Sequence, residues 1–328
     1  MKINTNIFAY QFGFIHPQEC WEWMVKDARY KEMIIPKKNG KIRVVHEPDE
    51  IMKSVHAYLK TMLQHTYMIA LSQMHHPAIH PPLTNEGKSV FQLPVTEHAA
   101  RFVKKKYICK FDIHHFYPSV SREIIFTMLT SSPYHVDKET AALVSMACTH
   151  KNQMVQGAST SPVLGDMLFL MNDLYFFEHY FYRGIIYGRY VDDIIFASDE
   201  PLPFEEIKRD LIQKLHPLGL KIHEKKTGSF GPQHRRTVTG ITINEKLNVS
   251  RNYIRHLRAI LHDWKQHGID NATASHFHLL LPEVNEHVKS NFIKRVQGLV
   301  SWVGQVRGQN DAIYLRMKNQ YKELRDIK

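Results

Sequence analysis

Cysteine is scarce in this chain: Cys20, Cys109 and Cys148 are the only three in 328 residues, and none forms a Cys-x-x-Cys pair. A disulfide framework and a zinc ribbon are therefore not indicated, and a reducing cytoplasm suits the chain. Long apolar runs are also lacking. None approaches the roughly 18 residues that a membrane span needs, and the polar-interrupted opening Met1 to Tyr10 has no secretory apolar region, so no membrane partner is expected. No repeat or low-complexity tract occurs. Histidine is plentiful, at 22, but no His-Glu-x-x-His or comparable ligand spacing organises it.

Positive charge is in excess. Forty-three Lys and Arg against 32 Asp and Glu leave a formal charge of +11, the footprint of a protein that tracks a phosphate backbone, although charge alone identifies no partner. At 43% hydrophobic residues the length supports a large core and two or three lobes. The first 30 or so residues read as an aromatic-rich helical lead-in. A strand pair follows around Met33–Pro36 and Ile42–Val45, linked by Lys37-Lys38-Asn39-Gly40-Lys41, where Asn-Gly suits a type I′ hairpin turn. A helix over Ile51 to Ile69 leads into a His- and Pro-rich loop, 75–82.

Between Tyr107 and Ile113 alternate residues are apolar, which predicts a central strand ending in Asp112. Thr160-Ser161-Pro162 reads as a helix start with a hydroxyl cap before the apolar run Val163 to Tyr182. Apolar strands at 185–190 and 194–197 flank Asp192-Asp193, predicting a hairpin with both acids at its bend. A helix over Phe204 to Leu215 and short strands near Leu220 and Val238 complete an α+β centre, and the last 80 or so residues read as mainly helical and basic.

A lone Asp-Asp at a turn is ordinarily just a turn. Here an upstream strand ends at Asp112, 80 residues before Asp192, so three acids can converge at one sheet edge. Nucleotidyl transfer uses such a cluster: hard carboxylate oxygens hold divalent cations that activate the attacking hydroxyl and stabilise the leaving pyrophosphate.

Three segments in order, Lys110 to Val120 around Asp112, Gln156 to Pro162, and Arg189-Tyr190-Val191-Asp192-Asp193, resemble the A, B and C motifs of reverse transcriptases. Ile35-Pro36-Lys37-Lys38 with Gly40 and Arg43, Glu224-Lys225-Lys226-Thr227, and Val238-Thr239-Gly240 extend the resemblance over nearly the whole chain. It implies an α+β right-hand polymerase fold. Residues 1–106 would be N-terminal helices and fingers, 107–244 a palm with an antiparallel sheet and packed helices, and 245–328 a helical basic thumb.

The resemblance further implies roles by position. Asp112, Asp192 and Asp193 would be catalytic and would hold two Mg2+, with Mn2+ a substitute and the Ile113 carbonyl a further ligand. Lys226 would donate a proton to pyrophosphate, with a solvated lysine as the alternative. Lys37, Lys38 and Arg43 would neutralise an incoming dNTP. Tyr117 would exclude a ribose 2′-hydroxyl, and Gln156 and Gly157 would lie against the nucleotide.

Among compact families, the chain is most similar to the retron reverse transcriptases of bacteria, through Val238-Thr239-Gly240 and Gln297 to Trp302. Their upstream Asn-Ala-x-x-His segment is reduced here to the histidine of Pro94 to His98. The retron resemblance implies a cognate structured non-coding RNA, copied in part into branched RNA-linked single-stranded DNA (msDNA), and an antiphage role with an effector protein encoded nearby. Val238, Thr239, Gly240, Arg251, Arg255, Arg258 and Trp302 would touch RNA or primer, with Tyr253 and Trp264 as further stacking candidates. With only a helical thumb expected after the palm, no RNase H, integrase or maturase part is expected. Two other readings stay open: an abortive-infection type of polymerase making untemplated DNA, and a non-catalytic RNA-binding module on the same fold.

Overall fold

A computed structural model describes residues 2–24, 30–36, 42–73 and 94–326. Lys37, Lys38, the Asn-Gly link and the 75–82 loop lie outside the described residues.

The chain falls into two compact units. The first comprises Met1–Leu93, Cys109–Phe196 and Leu202–Ser229; the second comprises Pro94–Ile108, Ala197–Pro201 and Phe230–Lys328. Short helices α1 (Thr5–Gln11) and α2 (Pro17–Met24) open the first. The Asn4 side chain accepts from the Ile7 amide at 3.1 Å and starts α1 by satisfying an otherwise unpaired N–H. Strands β1 (Tyr30–Pro36) and β2 (Ile42–Pro48) pair antiparallel from Tyr30 opposite Pro48 to Pro36 opposite Ile42, a longer hairpin than the alternation alone predicts. Helix α3 (Glu50–Gln73) runs one residue beyond the predicted start and four beyond the predicted end, burying Met52, Val55, Leu59 and Leu63 at helical spacing.

After α4 (Val95–Ala100), strand β3 (Tyr107–Asp112) leads to α5 (Phe116–Ser119), α6 (Arg122–Thr130) and α7 (Lys138–Ala147). Ser121 and Asp137 cap α6 and α7 by accepting from the Ile124 and Thr140 amides. Two-residue strands β4 (Thr149–His150) and β5 (Gln153–Met154) pair antiparallel. Then comes α8 (Ser161–Phe181), apolar around most of its circumference and correspondingly buried from Val163 to Leu170. Its expected hydroxyl cap is not formed. Thr160 is in the helical region and makes no capping bond, and the Ser161 hydroxyl instead donates to the Val155 carbonyl at 2.5 Å.

Strands β6 (Ile186–Tyr190) and β7 (Asp193–Ser198), helix α9 (Phe204–Leu215) and strand β8 (Gly228–Phe230) complete the central sheet, ordered β6-β7-β3-β8. The expected strand near Leu220 is reduced to a single bridge, Ile113 to Ile222. In β3 and β7 both pleat faces are covered: Ile108, Cys109 and Phe111, like Ile194, Ile195 and Phe196, are wholly buried. That is why β7 reads as an apolar run, whereas β3 keeps polar Lys110 and Asp112, both only partly buried, among its buried residues.

The second unit holds β9 (Thr237–Val238), β10 (Ile241–Thr242) and helices α10 (Arg251–Phe277), α11 (Glu286–Arg307) and α12 (Ala312–Asp326). Its core includes Leu257, Leu261, Trp264, Phe292, Val296 and Tyr321. Arg307 donates to Asp311 at 2.8 and 3.0 Å and to Asn248, tying the end of α11 to the start of α12. No helix among the described residues is long and apolar enough to cross a membrane.

Candidate active site

The acids meet because of the sheet order. β3 lies beside β7, so Asp112 at the end of β3 comes next to the β6–β7 turn, and the Ile113 amide donates to the Asp192 carbonyl at 3.1 Å. Asp192 sits in the turn and Asp193 begins β7. On the other side, residues 221–223 run along the end of β3: the His114 amide donates to the Lys221 carbonyl at 2.8 Å, and the His223 amide to the Asp112 carbonyl at 2.7 Å. That alignment delivers Lys226, whose ammonium donates to both Asp112 oxygens at 2.9 and 2.8 Å.

Burial pushes the Asp192 carboxyl up from its ordinary value, and the charges of Asp112 and Asp193 push it the same way. Concentrated negative charge of this kind is what a cation relieves. Lys226 already supplies one positive charge, on Asp112. Among the described residues no group of three or more His, Cys, Asp or Glu side chains is closed into a metal cage. The donor set is nonetheless chemically suited to a hard divalent ion, with Asp112, Asp192 and Asp193 as oxygen ligands.

The turn itself is held under strain. Val191, a β-branched residue, has φ 58° in the left-handed region, a conformation that costs roughly 1–3 kcal/mol. Arg189 clamps it. One guanidinium nitrogen donates to the Val191 carbonyl at 3.0 Å, while the rest of the fork reaches Asp166 at 2.9 Å and Asp173 at 2.7–3.1 Å, both on α8. The Tyr187 hydroxyl also donates to Asp173, at 2.5 Å, and the guanidinium lies 4.6 Å from the Phe169 ring centre. The Arg189 side chain is 5% exposed. Burial opposes its charge, but Asp173 and Asp166 more than offset this and hold it protonated. Sequence reading missed this network. The available signal was two acids seven residues apart, on one face of an otherwise apolar helix.

Tyr117 stands on α5, half-buried against Phe116, whose ring centre lies 5.2 Å away. Burial, with Asp192 and Asp166 nearby, pushes its hydroxyl up to about 12, so it is neutral at working pH. Gly157, at φ 112°, packs against β2: a Cβ there would meet Val45 Cγ1 at 2.6 Å. The Gln156 carbonyl accepts from the His46 amide at 3.2 Å, so the B segment is stitched to the same strand that carries exposed Arg43. A cluster of imidazoles, His114 with His115 at 4.2 Å and with His223 at 5.3 Å between ring centres, adjoins Asp112 and was not foreseen.

In the second unit, Val238-Thr239-Gly240 forms the tight link between β9 and β10, with Thr239 at φ 48° and Gly240 at φ 83°. Val238 is wholly buried, so its side chain serves the core; Gly240 is exposed, and Thr239 is partly exposed with its hydroxyl oxygen buried. Arg251, Arg255 and Arg258 are exposed along one stripe of α10, and Trp302 is partly buried on α11. Trp264 is buried against Phe292, ring centres 5.3 Å apart, and is a core residue rather than a stacking platform. The Tyr253 hydroxyl donates to the Leu299 carbonyl at 3.0 Å.

Residues 35–243, which include the three acids, the strained turn and Lys226, match the family described as reverse transcriptase (RNA-dependent DNA polymerase). The chain belongs to the reverse transcriptase family. Reverse transcriptases copy an RNA template with dNTPs and use divalent metal ions, in keeping with the carboxylate set. Among relatives, the chain is 24% identical to the retron Ec86 reverse transcriptase of Escherichia coli over 72% of its own length and 70% of that enzyme's. It is 24% identical to the retron Mx65 reverse transcriptase of Myxococcus xanthus, over 71% of this chain and 55% of that one. With the retron Ec83 reverse transcriptase of Escherichia coli the identity is 23%, over 82% and 86%.

Proposed function

We propose that this reverse transcriptase is the polymerase of a retron: it copies part of a cognate structured non-coding RNA into branched RNA-linked single-stranded DNA and acts in antiphage defence with a partner effector. The observation that carries the catalytic part is the convergence of Asp112, Asp192 and Asp193 at one sheet edge, with Lys226 on Asp112. The similarity to several retron enzymes supports the retron part.

In this reading Asp112, Asp192 and Asp193 hold two Mg2+, with Mn2+ a substitute and the Ile113 carbonyl as a further ligand. The bound ions would supply Lewis-acid activation of the primer hydroxyl and charge neutralisation of the triphosphate. Lys226 moves from Asp112 toward the departing pyrophosphate and gives it a proton; its side chain is more than half exposed and has room to do so. Exposed Arg43, with Lys37 and Lys38, neutralises the incoming dNTP, for which a planar guanidinium is well shaped. The neutral Tyr117 ring excludes a 2′-hydroxyl, and Gln156 and Gly157 back the nucleotide. Arg251, Arg255, Arg258, Thr239, Gly240 and Trp302 contact RNA or primer, within a palm of residues 107–244 and a thumb of residues 245–328.

The test is to express the chain together with its neighbouring DNA, purify it, and treat the bound nucleic acid with RNase and DNase. A single RNA species joined to DNA of defined sequence is expected, and it should be absent with Asp192→Asn. Clean protein without nucleic acid would overturn the retron reading. DNA of random sequence would favour untemplated synthesis instead.

A further inference from the structure

The helical unit contains a pocket whose chemistry the catalytic reading does not use. α10 is broken at Gly268, which adopts φ 79° and ψ 171°, a backbone region open essentially to glycine alone. The break folds the end of the helix back, so that residues from both halves line one cavity of about 610 Å3. Ala259, Ile260 and Ala272 give it an apolar floor, and Arg295 from α11 gives it a positive wall. Three histidines complete it: His256 before the break, His276 and His278 after it.

The rings adjoin one another as a continuous aromatic wall, with His276 edge-on to Phe277 at 5.0 Å between ring centres. The His256 and His276 ring centres are 6.3 Å apart and tilted by 33°, and Phe277, also in the lining, is 36% exposed. His278 closes the helix in the left-handed conformation, with its amide donating to the Ala274 carbonyl. Burial, reinforced by His256, Arg295 and His278, lowers the His276 titration below its ordinary value and leaves a neutral ring near pH 7. A neutral imidazole can stack and exchange hydrogen bonds, and the planar Arg295 guanidinium presents a fork of donors suited to a phosphate. The one carboxylate in the lining, Asp263, is bonded to His267 at 2.7 Å.

We propose that this pocket captures one splayed-out nucleotide of the RNA partner, with its phosphate on Arg295 and its base laid against the aromatic wall of His256, His276 and Phe277. The cavity lies in the size range of small-ligand sites, and aromatic faces beside one cation are the chemistry by which unstacked RNA bases are held. The adjoining face of α10 carries Arg251, Arg255 and Arg258, which would guide the flanking phosphates toward it. This inference rests on the reading of the chain as an RNA-copying enzyme, but it concerns a site separate from the acids.

The experiment uses the full chain and a fluorescent single-stranded RNA of twelve nucleotides, with binding read by anisotropy. Competitors are the four 5′-mononucleotides and inorganic phosphate, each alone. A mononucleotide should displace the RNA at a concentration about tenfold or more below that of phosphate. Equal displacement would mean that only charge is recognised and would overturn the proposal. Arg295→Gln and Ser275→Tyr, the latter an exposed position that fills the cavity, should each weaken RNA binding about tenfold with unchanged thermal unfolding. Wild-type affinity in both would sink the pocket. As a second readout, RNA bearing 4-thiouridine should crosslink at His256 or at His276 to His278; adducts at Arg251, Arg255 or Arg258 alone would refute it. DNA synthesis by the wild-type chain on poly(rA) with an oligo(dT) primer tests the polymerase reading separately, so failure of one is distinguishable from failure of the other.

Discussion

Replacing Arg189 with methionine would keep most of the side-chain volume and remove its charge. Two carboxylates, Asp166 and Asp173, about three-quarters covered, would then lose the cation that both contact, and the Val191 carbonyl would lose its donor. Breaking a buried ion pair by removing one partner typically costs about 3–5 kcal/mol, because the remaining charge stays desolvated. The strain at Val191, roughly 1–3 kcal/mol, is already present in the folded wild-type chain and adds nothing to this loss. Arg189→Met should therefore lower unfolding free energy by about 3–5 kcal/mol in urea or guanidinium titrations.

Arg189→Lys separates stability from positioning. It retains a charge for one carboxylate but cannot span Asp166, Asp173 and Val191 at once. Its kcat on an RNA template should fall about tenfold, corresponding to roughly 1.4 kcal/mol, with KM for dNTP changed much less, because the turn that carries Asp192 would relax. Steady-state extension assays would read both parameters. A methionine variant less than about 1 kcal/mol destabilised, with a lysine variant of wild-type kcat, would refute the clamp.

Three further outcomes follow from the same geometry. Asp192→Asn should abolish DNA synthesis yet leave metal-free stability equal or higher, because it relieves the burial and repulsion acting on that carboxyl; a clear loss of stability in thermal melts would contradict this. Gly157→Ala should destabilise by about 1–3 kcal/mol, since its Cβ would lie 2.6 Å from Val45 Cγ1 at a positive φ, and adding Val45→Ala should recover the steric part. Asp311 is held below the usual carboxylate range by its hydrogen bonds to Arg307 first and, more weakly, to Lys246. A depressed folded value means its contribution is complete above the ordinary aspartate range near pH 4 and is lost as pH falls through the folded value. Asp311→Asn should therefore flatten the acid side of the stability profile, and an unchanged acid limb would argue against the bond.

Part of the local structure is written in neighbouring residues, although the one cap expected from sequence, at Thr160-Ser161, did not form. Side-chain caps at Asn4, Ser121, Asp137, Ser250 and Asn285 each accept from an amide three residues on, so helix starts depend on neighbours in sequence. Helix α9 runs from Phe204 to Leu215, the span its apolar periodicity predicts. Asp112 and the Asp192–Asp193 hairpin were readable for the same reason, being short polar interruptions in apolar strands.

What the sequence by itself determined was the longer elements such as α3, α8 and α9, the strands that carry the acids, the ordered acidic segments and the family they indicate, because periodicity and turn chemistry act over a few residues. Tertiary structure decided the rest. Only β3 lying beside β7 brings Asp112 to Asp192, and only folding at Gly268 sets His276 against His256. Val238 and Trp264 became core, and Arg189 became a clamp joined to acids 16 and 23 residues away. These outcomes depend on which distant surfaces exclude water together, and a charged or aromatic side chain takes its role from the partners that this exclusion leaves beside it.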